Sequence, residues 1–328
     1  MEVAPEFIDW VSDALNDNEI SQFSLIQNLW SGYGQCFRFY SPKNKTSLVA
    51  KAVKPSTIPT HPKGWISTHS HHRKLSSYLV ETHFYKYHST RLTIPVPTLI
   101  HAWADDNTML LIMSDLNSQG FDQRKNTLNV DEAKHVLIYL ARFHATFLST
   151  SANESGLWDR GTYWQLSTRQ GEWNAMPDSE LKHYAQLLHD TLAQSPYQTI
   201  VHGDAKVANF CFRPDSHAVA AVDFQYAGAG VGVQDVAYFL GSALNTRDQL
   251  THTGQCLDVY FNALYEALNH SSVDRDHLES CWRALYPVAC ADFKRFLTGW
   301  SPDHWKLNQV LDRYSEAGIK YVKSKAAR

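Results

Sequence analysis

One stretch limits what this chain can be more than any other. It reads His202-Gly203-Asp204-Ala205-Lys206-Val207-Ala208-Asn209, then a hairpin-length gap, then Val222-Asp223-Phe224-Gln225. Ile200-Val201 ahead of it is apolar and β-prone. Phe210 to Arg213 leaves as a strand, Pro214-Asp215-Ser216-His217 makes a turn, and Ala218 to Val222 returns as the second strand. Asp204 and Asn209 therefore fall on a loop before one strand, and Asp223 falls at the end of its partner. Such a hairpin brings all three side chains to one edge.

Two carboxylates and an amide at one edge are what phosphoryl transfer to a hydroxyl needs. The protein has little covalent work to do; it positions the nucleophile and neutralises the phosphates. Asp204 is assigned to accept a hydrogen bond from the attacking hydroxyl. Asp223 and Asn209 are assigned as ligands for Mg²⁺, which favours hard oxygen donors and keeps several waters.

His-x-Asp-x-x-x-x-Asn followed by Asp-Phe resembles the catalytic and metal signature of the protein-kinase-like fold. Gly203 in place of an arginine, and Asp-Phe-Gln in place of Asp-Phe-Gly, resemble the aminoglycoside phosphotransferase and choline kinase branch, nearest the ecdysteroid kinase-like group. The resemblance implies an α+β, bilobal fold. A small nucleotide-binding lobe over residues 1–113 would carry an antiparallel sheet and a helix. A larger, mainly helical lobe over 114–328 would carry catalysis and the acceptor. It implies an ATP- and Mg-dependent kinase of a small hydroxylated molecule. Lys206, in Asp-x-Lys-x-x-Asn, joins Asp204 as a catalytic residue. Two rivals remain. A nucleotide-binding pseudokinase is opposed by intact Asp204, Asn209 and Asp223. A true protein kinase is favoured by Lys206 and opposed by the short segment after Asp223, which lacks Ala-Pro-Glu.

Composition fits this class. The chain has 328 residues, enough for two lobes, and a net charge of -3 that gives no reason to expect a nucleic-acid partner. No apolar run reaches the length of a membrane span, and the start carries no basic and apolar secretion signal. The five cysteines, at 36, 211, 256, 281 and 290, are odd in number and form no Cys-x-x-Cys pair. A reducing cytoplasm is the expected location, and Cys211 reads as a small core residue.

Upstream, Pro5 to Leu15 has helical spacing and is expected to cap the small lobe. Strands follow, leading to Leu29-Trp30 and then over Cys36–Tyr40 and Ser47–Val53. Between the first two lies Ser31-Gly32-Tyr33-Gly34-Gln35. Two glycines in a turn are weak evidence by themselves. By resemblance, Gly32 and Gly34 belong to the loop that covers ATP phosphates, without its third glycine. Lys51 sits inside an apolar strand and resembles the lysine that holds the α- and β-phosphates. Lys54, where the strand should end, competes for that role, and Lys51 is preferred. Residues 55 to 74 read as a loop in which His69, His71 and His72 are solvated. A helix is expected from Ser76 to His88, with Tyr78, Leu79, Thr82 and Tyr85 on one face. Glu81 on it would be the ion-pair partner of Lys51. Strands over Thr98–Trp103 and Thr108–Met113 turn at Asp105-Asp106-Asn107. Met113, Ser114, Asp115 and Leu116 would form the hinge that receives adenine.

Val130 to Ser149 reads as a long helix whose His144 packs and hydrogen-bonds, and Ser179 to Leu192 as another. The glycines between Tyr226 and Gln234 read as a flexible turn. Asp235 opens a helix, where a carboxylate favours free N–H groups and the dipole; the resemblance makes it a brace for the catalytic loop. Further helices are expected over His252–Leu268, Arg275–Leu297 and His304–Ile319, capped by Asp274 and Ser301-Pro302. Trp158, Trp164, Trp173, Trp282, Trp300 and Trp305 are expected to wall an acceptor pocket. A cationic acceptor would call for Asp292 or Asp303; the likeness favours an uncharged one.

Overall fold

Phe7 and Val11 lie one helical turn apart, and burying both makes helix α1, Pro5–Leu15, a cover for one sheet face. The computed structural model describes residues 2–55, 68–105, 107–152, 156–214 and 217–327. Strands β1 (Ser21–Asn28), β2 (Gly34–Ser41) and β3 (Thr46–Val53) come first. Helix α2, Thr68–His83, follows and runs into a π turn over Phe84–His88. Strands β4, Leu99–Asp105, and β5, Thr108–Ser114, complete a five-stranded antiparallel sheet of order β1-β2-β3-β5-β4.

The pleat sorts this sheet into two faces. Phe37, Phe39, Leu48, Ala50, Ala52, Leu110 and Ile112 pack with α1. The alternating positions look the other way, where Val53 and Met109 pack against Leu75 and Tyr78 of α2. Lys51 is on this second face. Leu111 and Met113 on the same side join the core of the helical part of the chain.

That part starts with α3, Val130–Thr146, whose N-terminus is closed by reciprocal Asn129 and Glu132 hydrogen bonds. Short helices α4 (Gln170–Ala175), α5 (Glu180–His183) and α6 (Ala185–Ala193) precede four three-residue strands. These are β6 (Thr199–Val201), β7 (Phe210–Phe212), β8 (Val219–Ala221) and β9 (Gly228–Gly230), paired β6 with β9 and β7 with β8. Helices α7 (Val233–Ala243), α8 (Thr246–Ala267), α9 (Arg275–Trp300) and α10 (Gln309–Ala326) finish the chain. The fold is the expected one: an antiparallel five-stranded sheet followed by a mainly helical body. No helix among the described residues is long and apolar enough to cross a membrane.

Several local expectations are corrected. The helix expected from Ser76 already runs at Thr68, so His71 and His72 are helical rather than in a loop. Residues 56–67 of that expected loop, and Asp106, Asp215 and Ser216 of the expected turns, lie outside the described residues. Leu79 is 38% exposed and is not on the buried face with Tyr78, Thr82 and Tyr85. The helix expected from Ser179 breaks at Tyr184 into α5 and α6. The last helix opens at Gln309, because Asn308 caps it by accepting from the N–H groups of Val310 and Leu311. Residues 301–308 are therefore a loop.

The glycine run after Tyr226 is a strand, not a turn. A side chain at Gly228 would meet the Trp158 carbonyl oxygen at 2.3 Å. These glycines let β9 lie flat against the 158–161 backbone, where Trp158 and Gly161 donate to the carbonyls of Ala227 and Ala229.

Candidate active site

The His202–Asn209 loop is anchored by Asp235. It is in the first turn of α7, as expected, but its carboxylate does not serve its own helix. It accepts from the backbone N–H groups of His202, at 2.6 Å, and Gly203, at 2.9 Å. His144 Nε2 lies 3.0 Å from the same carboxylate, and His144 Nδ1 is 2.8 Å from the Tyr260 hydroxyl. Gly203 has φ +79°, and a Cβ there would lie 2.0 Å from the Tyr226 carbonyl oxygen. An arginine at this position would not fit, which accounts for Gly203.

His202 fixes the next residue. Its Nδ1 accepts from the Asp204 N–H at 3.3 Å, and its Nε2 donates to the Val222 carbonyl at 3.0 Å. Those partners require the neutral Nε2–H tautomer. Asp204 itself is buried. Its Oδ2 accepts from Lys206 Nζ at 2.8 Å and from Asn209 Nδ2 at 3.0 Å. Asp204 acts first to raise the Lys206 pKa above the usual lysine range, against a smaller opposing effect of burial. Asn209 Nδ2 also donates to the Asp204 carbonyl, so its amide oxygen is left uncommitted among the described residues.

Asp223 follows β8 in the left-handed region, with φ 68°. The expected hairpin exists, and the Val222 N–H donates to the Asn209 carbonyl across it at 3.0 Å. Asp223 Oδ1 accepts from Gln225 Nε2 at 2.7 Å and from Lys51 Nζ at 3.1 Å. Its Oδ2 has no partner among the described residues. Burial would raise this carboxyl, but Lys51, Lys206 and Lys74 together hold it well below the carboxylate range.

Lys51 Nζ also meets Glu81 Oε2 at 2.6 Å, with both side chains buried. Burial opposes the Lys51 charge, yet Asp223 and Glu81 outweigh it and hold its pKa above the usual range. Burial pushes Glu81 up to about 7, against the pull of Lys51. Lys54, the competitor, pairs instead with Glu6 on the surface, at 2.6 Å.

Two contacts tie α2 to this cluster. Phe224 stacks on Phe84, three residues past Glu81, with centroids 3.9 Å apart. Gln225 Oε1 accepts from Ser77 Oγ at 3.0 Å and from Lys74 Nζ at 3.3 Å. The glutamine of Asp-Phe-Gln thus bridges Asp223 to the helix. Burial lowers the Lys74 pKa to about 8, against the opposing charge of Asp223. Lys74 was missed in the sequence. It stands seven residues, two turns, before Glu81 and so on the same face, a signal hidden while the helix was expected to open at Ser76.

The remaining candidates are more peripheral. Gly32 and Gly34 close the β1–β2 connection, where a short turn spends the Gly32 and Tyr33 N–H groups on the carbonyls of Leu29 and Trp30. The Tyr33 hydroxyl binds His71 Nδ1 of α2. Met113 and Ser114 end β5. Asp115 is clamped by Arg38 of β2 and accepts from the Asn117 N–H at 3.0 Å, while the Leu116 carbonyl accepts from Phe121. Of the tryptophans, Trp164 and Trp282 are core residues, and Trp158 and Trp173 spend their indole N–H on the Gln225 and Lys182 carbonyls. Trp300 stacks on Phe296, and Trp305 is exposed.

A model of the ecdysteroid kinase-like family matches residues 81–163 and 160–273, more than half of the chain. The chain belongs to the ecdysteroid kinase-like family. Glu81, the His202–Asn209 loop and Asp223 lie within the matched residues; the glycine segment and Lys51 lie before them. This is a family of small-molecule kinases, enzymes that phosphorylate hydroxyl groups. None of the curated proteins matches it. Among solved structures, an amicoumacin kinase is 15% identical over 98% of this chain and 94% of that one, with TM-score 0.56. A microcompartment-associated aminopropanol kinase is 12% identical over 98% of each chain, with TM-score 0.52. An ethanolamine kinase from Plasmodium vivax is 11% identical over 96% of this chain and 86% of that one, with TM-score 0.50. At these identities the likeness is one of fold, and the fold is that of small-molecule kinases.

Proposed function

We propose that this family member transfers the γ-phosphate of ATP, with Mg²⁺, to a hydroxyl of a small molecule. The observation that carries the reading is the meeting of two clusters at one edge. Lys51, Glu81 and Asp223 form one, and Asp204, Lys206 and Asn209 the other. The nucleotide would lie against residues 1–113 and the acceptor against 114–328, with the boundary at the hinge.

Asp204 takes the hydrogen bond, then the proton, of the attacking hydroxyl. The acceptor oxygen bonds to the γ-phosphorus as the bond to the β-phosphate oxygen breaks, and ADP leaves. Lys206, 2.8 Å from Asp204, faces the charge on the transferring group. Lys51, fixed by Glu81, holds the α- and β-phosphates, and Lys74 adds a cation beside it. Gly32 and Gly34 cover the phosphates, and Met113 to Leu116 offer their backbone to adenine. The free amide oxygen of Asn209 and the free Oδ2 of Asp223 are hard donors that suit Mg²⁺. Mg²⁺, when bound there, supplies charge neutralisation on the phosphates. A cytoplasmic location goes with this reading, and the five cysteines are free.

The experiment is incubation with Mg·ATP and a panel of hydroxylated small molecules, read by the mass increase of one phosphate. Phosphorylated acceptor supports the reading. ATP binding without transfer to any alcohol, or transfer to protein alone, would replace it with one of the two rivals.

A further inference from the structure

The large-lobe side of the site holds a cation that forms no ion pair with a carboxylate among the described residues. Lys306 lies in the loop between α9 and α10 and is 8% exposed. Its ammonium stands 4.3 Å from the centroid of Tyr238, with Trp305 at 5.5 Å and Phe293 at 5.8 Å. It meets no protein hydrogen-bond acceptor or carboxylate among the described residues; only the backbone N–H of Lys306 is spent, on His304. The hydroxyl of Tyr238 is turned to Asp204 and Tyr163. The ammonium therefore lies over the face of a ring whose edge meets the proposed base.

Burial lowers the Lys306 pKa to about 8; Asp204 opposes this and Lys206 adds to it. Aromatic faces return only part of the hydration a buried ammonium loses. A small cavity beside it is lined by Gly241, Gln249, Cys290 and Tyr314, among others. The carboxylates that a cationic acceptor would call for do not serve it. Asp292 is buried in an ion pair with Arg295 at 2.9 Å, and Asp303 is on the exposed part of the loop.

Resting on the reading of Asp204 as the base, we propose that Lys306 is the specificity residue of the acceptor site. Its ammonium donates to an oxygen of the acceptor (carboxylate, sulfate, carbonyl or hydroxyl) and excludes amino alcohols. The aminopropanol and ethanolamine kinases that share the fold are named for such amines.

The test uses the full chain as wild type, Lys306→Met and Lys306→Arg, with Mg·ATP. Acceptors are polyhydroxylated sterols, hydroxylated carboxylates and sterol sulfates, and the amines ethanolamine and choline. Calorimetric binding to enzyme loaded with a non-hydrolysable ATP analogue accompanies turnover. The wild type is expected to bind and phosphorylate oxygenated acceptors and to reject both amines. Lys306→Met should raise the acceptor KM about tenfold or more, as loss of a charge-assisted hydrogen bond does, with kcat within about threefold and the ATP KM unchanged. Lys306→Arg should restore most of the affinity. Preference for the anionic acceptors would identify the bound oxygen as a carboxylate or sulfate, and preference for the neutral sterols as a carbonyl or hydroxyl. Amines bound as well as oxygenated acceptors would overturn the proposal. So would an unchanged acceptor KM in Lys306→Met while Asp204→Ala abolishes turnover. If Asp204→Ala keeps turnover, the base assignment fails instead.

Discussion

Asp223 sits in a backbone region that L-residues seldom occupy, and such outliers persist where their surroundings over-determine them. Here Lys51 and Gln225 both bind one oxygen of its carboxylate, and the other has no partner among the described residues. Asp223→Ala should weaken Mg·ATP binding and lower activity, checked by a titration of Mg·ATP; unchanged affinity and activity would remove Asp223 from the proposed metal site. Lys51 and Glu81 touch, so their Ala substitutions should not be additive. The double variant should cost less in kcat/KM than the sum of the singles, by about 0.5–3 kcal/mol. Strict additivity would mean that the contact has no part in catalysis. Asp204, Asn209 and Asp223 were legible in the sequence because their offsets along a loop and hairpin are local. Lys306 was not: its standing depends on a ring from α7 and a loop after α9 meeting in space. Lys51 was preferred over Lys54 because Lys54 falls where the strand should end; β3 does end at Val53, and the pleat puts Lys51 on the face toward α2.

At the level of elements, α2 is the part that ties Lys51 of the sheet to the Asp223–Gln225 segment of the helical body. Glu81, Ser77 and Lys74 face Asp223 and Gln225, and the Phe84–Phe224 stack continues the contact. Gln225→Ala should leave the fold intact and raise the ATP KM, measured alongside kcat, because Asp223 and α2 lose their bridge. The element boundaries were the least legible feature. The lysine and histidines ahead of Ser76 look like loop composition, and tertiary packing against the sheet and Gln225 overrides that. The glycines of β9 carry the same lesson. Their run reads as flexibility, but close approach to Trp158 is what requires them. Gly228→Ala should lower stability by about 1–3 kcal/mol, read by urea unfolding, through overpacking against that backbone. A variant as stable as the wild type would show that the 158–161 segment yields freely.

Across the whole molecule, the sheet and the helical body are joined by polar contacts as well as by chain. Arg38 clamps Asp115 just after β5, Arg73 donates to the Thr168 carbonyl, and His83 Nδ1 meets the Gly156 carbonyl. Lys51 of the sheet meets Asp223 of the helical body at 3.1 Å, and the proposed function rests on that meeting. It is tested most directly by following radiolabelled γ-phosphate from ATP to a small-molecule alcohol with wild type and Asp204→Ala, while ATP affinity is measured on both. The account predicts labelled alcohol from the wild type, and ATP affinity retained in the variant. The variant's transfer should be slower by about 10²–10⁴-fold, roughly 3–5 kcal/mol of barrier. Transfer at the wild-type rate by Asp204→Ala would contradict it.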